Sequence, residues 1–99
     1  MDMEALMAQA SELQSKVAAA QDKLADMHVK GLAAGGACIV DITGKYDPVS
    51  VTINPDTLAR GAAAVESAVL AAMRDAKQKA DKLIDDVMAD ATAGMPLPR

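Results

Sequence analysis

The chain has no phenylalanine and no tryptophan, and Tyr46 is its only aromatic residue. Aromatic side chains bury about 150–250 Å² each, so their absence leaves a thin core for 99 residues. A thin core in a short chain is commonly completed by a second copy, and a homodimer is expected. Cys38 is the only cysteine, which excludes an intrachain disulfide and points to a reducing compartment. His28 is the only histidine, so no metal site and no cofactor are expected. Long apolar runs are missing too. The stretch Ala68-Val69-Leu70-Ala71-Ala72-Met73 falls far short of the ~20 residues that span a bilayer. The opening Met1-Asp2-Met3-Glu4 has neither the basic nor the apolar region of a secretory signal. A cytoplasmic protein without a membrane partner is expected.

Nothing in the chain assembles a catalytic group. Gly31 and the Gly35-Gly36 pair lack the spacing of a dinucleotide fingerprint and read as turns. Cys38 falls on the apolar face of a strand, where a buried small hydrophobe is the ordinary role. His28 falls at a helix–strand junction and reads as an incidental turn residue. No enzyme and no small-molecule substrate are expected.

What is present in quantity is helical heptad. Leu6, Ala10, Leu13, Val17, Ala20, Leu24 and Met27 recur at alternating steps of four and three, the register of a helix-packing seam. Asp2 can cap this first helix, expected over residues 2–27 and roughly 39 Å long. The middle reads as three strands. A short one over 29–33 precedes turn chemistry at Ala34-Gly35-Gly36. Cys38-Ile39-Val40-Asp41-Ile42-Thr43 and Val49-Ser50-Val51-Thr52-Ile53 then alternate apolar and polar residues across a short loop, as a hairpin does. The three aliphatics of the last strand face one way, so the sheet needs a helix against it.

Asn54-Pro55 opens the final helical region, and Gly61 breaks it into a short turn and a main helix over 62–92. Leu58, Ala62, Val65, Val69, Ala72, Ala76, Leu83 and Val87 form its stripe, widened by Leu70, Met73, Ile84 and Met88. The fold class is therefore α+β: a long N-terminal helix, a three-stranded antiparallel sheet and a long C-terminal helix. One domain is expected over 1–93, with 94–99 as a flexible tail. Leu6, Leu13, Val17, Leu24, Leu83 and Val87 are the expected dimer interface.

The charges sum to −4, from ten Lys and Arg against fourteen Asp and Glu, which by itself does not attract polyanions. Two groups of cations stand out. Lys16, Lys23 and Lys30 recur every seven residues along one flank of the first helix and just beyond it. Arg74, Lys77, Lys79 and Lys82 cluster on the last helix, but Asp75, Asp81 and Asp86 sit four residues from Lys79, Lys77 and Lys82, the spacing of self-compensating pairs. Five of the seven methionines, Met3, Met7, Met27, Met73 and Met88, lie on helical stripes as core or as an adaptable surface.

Three segments, in order, resemble the YbaB/EbfC family of nucleoid-associated DNA-binding proteins. Val49-Ser50-Val51-Thr52-Ile53-Asn54-Pro55 is similar to the family's aliphatic strand running into an acidic or amide residue and proline. Val69-Leu70-Ala71-Ala72-Met73-Arg74-Asp75-Ala76 resembles its helical segment ending in Asn/Asp-Ala, and Gly94-Met95-Pro96-Leu97-Pro98 its Gly-Met-x-Leu-Pro close. The resemblance implies a tweezer-like homodimer, bacterial and nucleoid-associated, that binds double-stranded DNA and alters its conformation, with effects on gene expression or nucleoid organisation. On that reading Lys16, Lys23 and Lys30 are the expected phosphate contacts, and Arg74, Lys77, Lys79 and Lys82 a secondary DNA-binding patch. The competing reading is a dimeric chaperone-like or adaptor protein whose methionine- and alanine-lined groove binds a partner helix.

Overall fold

The computed structural model describes residues 2–93, so the tail expected over 94–99 lies outside the described residues. Helix α1 (Met3–Asp26) starts where the Asp2 carboxylate accepts the Glu4 N–H at 3.1 Å, which satisfies one of the free donors at the helix start. Strands β1 (His28–Leu32), β2 (Cys38–Thr43) and β3 (Pro48–Ile53) form an antiparallel sheet in the order β1-β2-β3. The short helix α2 (Pro55–Ala59) begins at Asn54, whose side chain accepts from the Asp56 N–H, with Pro55 next in line. Gly61, at φ 103°, then turns the chain into α3 (Ala62–Ala91); that backbone conformation suits glycine.

The core is small-residued. Cys38, Val40 and Ile42 of β2 meet Ala68, Ala72, Ala76 and Ala80 of α3. Four alanines at intervals of four make a smooth stripe, and Gly31 on β1 lets the helix backbone lie almost directly on the strand. A Cβ at Gly31 would collide with the Ala72 carbonyl and with Ala76. Close approach replaces the bulk that aromatics would have supplied.

This seating differs from the expected one. The stripe on the sheet is alanine, while Leu70 and Met73 point away from it. Because α3 follows β1 and β2, it leaves β3 bare: Val49, Val51, Leu70 and Met73 are each 50–55% exposed. The register also slips between Asp41 and Ile42, so Ser50 pairs with Asp41 and Pro48 with Ile42. Val49 thus falls between two pairs, as an extra residue in a bulge does.

Helix α1 packs on α3 through its C-terminal half alone. Ala20 and Leu24 are buried, Leu13 and Val17 half-buried, and Leu83 and Val87 of α3 half-buried. Gly44 at the end of β2 ties this end of α1 to the sheet, its N–H reaching the Leu24 and Met27 carbonyls at 3.0 and 2.9 Å. Every described residue of α1 before Leu13 is exposed, and the molecule measures 67 × 22 × 16 Å. The heptad seam is therefore used within the chain at one end and left open at the other.

Candidate nucleic-acid interface

The cations differ in how closely neighbouring carboxylates engage them. Lys16 and Lys23 stand two turns apart on α1, about 10.5 Å along its axis, beside a shallow hollow of about 340 Å³ where α1 meets the end of α3. Lys16 lies 3.5 Å from Glu12, one turn back, with both side chains exposed. Lys23 is exposed and has no ion-pair partner among the described residues. Asp90 and Ala91 from α3 border the same hollow, so a second carboxylate, after Glu12, tempers the positive flank.

Lys30 does not continue this stripe. The helix ends at Asp26, and Lys30 lies on β1 opposite Asp41 of β2, on the sheet face away from α3 because its neighbour Gly31 faces the helix. On that outer face Asp41 Oδ1 is 3.0 Å from His28 Nδ1. His28 is thus a strand residue with a carboxylate neighbour, where a turn position was expected. Periodicity within one segment carried no signal for a pair 13 residues apart.

On α3 each lysine is engaged at the spacing the sequence announces. Lys77 meets Asp81 at 3.0 Å, Lys79 meets Asp75 at 2.9 Å, and Lys82 meets Asp86 at 2.9 Å. Arg74 has no ion-pair partner among the described residues and borders the groove beside bare β3. Exposed pairs of this kind add little to stability, but they weaken the positive field that a polyanion would meet.

Two of these side chains also hold the sheet. Asp75 Oδ2 accepts the Leu32 N–H at 2.8 Å, while Lys79 Nζ donates to the Lys30 carbonyl at 2.9 Å. The free edge of β1 is thereby closed by α3. The Leu32 N–H, and after it Lys79, hold the Asp75 carboxyl below its ordinary range. At the β2–β3 turn Tyr46, in left-handed backbone at φ 67°, donates its hydroxyl to Asp81. That bond lowers the pKa of Asp81 and raises that of Tyr46. Neither contact is visible in sequence, since each joins residues 35 or more positions apart.

The expected interface residues fall in three environments. Leu24 is only 2% exposed within a single chain and has its partners already. Leu13, Val17, Leu83 and Val87 are half-buried, and Leu6 is exposed on the free half of α1.

Comparison with known proteins places this arrangement. The sequence profile described as the YbaB/EbfC DNA-binding family matches residues 1–95. A nucleoid-associated protein of Bordetella avium is 40% identical over 93 residues, covering 94% of this chain and 86% of that protein. One from Rhodospirillum rubrum is 34% identical over 94 residues, covering 94% and 88%. The fold is similar to that of a crystal structure of an uncharacterized protein from Helicobacter pylori, with a TM-score of 0.79 at 17% identity, covering 91% of this chain and 96% of that one.

Proposed function

The chain belongs to the YbaB/EbfC DNA-binding family, and from that premise we propose that it is a nucleoid-associated protein that binds double-stranded DNA as a homodimer. Binding alters the conformation of the duplex and so bears on nucleoid organisation and gene expression. No catalytic step belongs to this role. Curated relatives that span nearly the whole chain carry the name nucleoid-associated protein, and that observation carries the reading.

The geometry supports a backbone-directed contact through Lys16 and Lys23 on the exposed flank of α1, with Lys30 on the outer face of the sheet as a separate point. Lysines act as point charges on phosphates and fix position without reading bases. On α3, Arg74 stands as the secondary contact, while Lys77, Lys79 and Lys82 are the weaker contributors, because each is matched by an aspartate of the same helix. No helix among the described residues is long and apolar enough to cross a membrane, and a place on the nucleoid, in the cytoplasm, accords with that.

The test is a gel-shift titration against random and defined duplexes at several salt concentrations. Affinity is expected to fall with a log–log slope of about −0.9 per phosphate engaged. Binding that ignores salt, or its absence at low salt, overturns the proposal.

A further inference from the structure

The sheet face turned away from α3 gathers the charge of all three strands. Besides His28, Lys30 and Asp41, no residue of β1, β2 or β3 is acidic or basic. His28 and Lys30 stand two residues apart on β1, about 7 Å along the strand, and both are exposed. Asp41 lies opposite Lys30 on one side and opposite Ser50 of β3 on the other, so the three cross the sheet in one row.

The His28–Asp41 contact decides what the imidazole can offer. Nδ1 is 3.0 Å from Asp41 Oδ1, and an ionised carboxylate only accepts, so Nδ1 carries a hydrogen and donates it. In the neutral ring Nε2 is then a bare acceptor, and it has no hydrogen-bond partner among the described residues. The side chain is 47% exposed. A second proton can go only to Nε2, which changes that atom from acceptor to donor and leaves the trio net positive.

We infer that His28 is a proton-coupled phosphate contact: a DNA backbone phosphate docks on the outer face of the sheet beside Lys30 and accepts a hydrogen bond from protonated Nε2. Lys30 adds a point charge, and the exposed Ser50 a hydroxyl donor. Histidine is the side chain that changes charge between pH 5 and 8, so the grip on DNA strengthens as pH falls through that interval. Above it, the Nε2 lone pair meets the phosphate oxygens and Asp41 offsets Lys30. The other charged neighbours are Asp26, at the end of α1, and Lys45 and Asp47, in the turn after β2. From α3, Asp75 and Lys79 reach this edge, and both bind β1 backbone. Aspartate and lysine side chains ordinarily keep their charges between pH 6 and 8, and His28 is the only histidine.

This inference rests on the DNA binding in the proposed function, and gel-shift titrations of one random duplex at pH 6 and pH 8, at matched ionic strength, separate the two. The parent is expected to bind about three- to tenfold more tightly at pH 6. Its log–log salt slope is expected to be steeper there by about 0.9 for each phosphate that His28 engages. His28→Gln is expected to bind alike at both pH values, with its circular dichroism unchanged. Asp41→Asn is expected to bind more tightly than the parent at pH 8, because nothing then offsets Lys30. A parent indifferent to pH, a His28→Gln variant that keeps the gain at pH 6, or an Asp41→Asn variant that binds no tighter overturns this contact alone. A parent that binds no duplex at either pH overturns the DNA reading with it.

Discussion

The backbone N–H of Leu32 points out of the edge of β1 and finds the Asp75 carboxylate at 2.8 Å. Lys79 completes the closure, bonded to Asp75 at 2.9 Å and to the Lys30 carbonyl at the same distance. An open strand edge is a template for unwanted pairing, and here two side chains of α3 occupy it. The helix that covers one face of the sheet thus also seals one of its margins. β3, at the other margin, has no such cover among the described residues.

Acid should unfold the protein partly through this contact. The carboxyls of Asp75 and Asp81 are both held below their ordinary range, Asp75 first by the Leu32 N–H and Asp81 first by the Tyr46 hydroxyl. A depressed folded-state value stabilises the fold above the unfolded value of about 3.9, and that contribution disappears as pH falls through the folded value. Urea midpoints are expected to be level from neutral pH to about 5 and to decline below about 4. In Asp75→Asn the decline should be shallower.

Gly31→Ala should be among the most damaging single-methyl changes in the chain. The added Cβ meets the Ala72 carbonyl and Ala76, backbone as well as side chain, so α3 must lift off β1. Overpacking of this kind costs about 3 kcal/mol. A urea midpoint within error of the parent would contradict the close seating.

Tyr46 reports on the turn that joins β2 to β3. Its hydroxyl donates to Asp81 and its pKa is raised by that bond. Tyrosinate absorbance is therefore expected to appear at higher pH than for a free tyrosine, whose pKa is about 10. Asp81→Asn should bring the titration back toward that value, because it removes the neighbouring negative charge.

Alanine at both Lys16 and Lys23 should weaken DNA binding on every sequence alike. It should also flatten the salt dependence, by about 0.9 in log–log slope for each phosphate that the variant no longer neutralises. Alanine at Lys77, Lys79 and Lys82 together should do less, since each lysine is held within 3.0 Å of an aspartate, whereas Lys16 is 3.5 Å from Glu12 and Lys23 has no ion-pair partner among the described residues. A gel-shift series across salt concentrations measures both.

The local signals are readable in the sequence. Asp2, Asn54-Pro55 and Gly61 mark the helix starts within a residue or so of where they occur. Alternation finds β2 and β3, and the spacing of aspartates and lysines on α3 foretells all three of its ion pairs. What stays hidden is what depends on a distant partner. Leu70 and Met73 read as part of a buried stripe, yet the alanines take that place, because Gly31 on another element permits a closer approach than leucine allows. Lys30 reads as a third step of a helical stripe, but α1 stops four residues before it. The Leu32–Asp75 and Tyr46–Asp81 contacts join groups with no shared pattern.

The overhang of α1 has a thermodynamic meaning of its own. A helix of about a dozen residues is marginal in water when nothing leans on it, and the turns from Met3 to Glu12 have no buried residue to anchor them. They are carried by the nucleus that Ala20 and Leu24 pin down. Their amide protons will exchange far sooner than those at the centre of α3, and whatever grips this stretch must quench its fraying before it gains affinity.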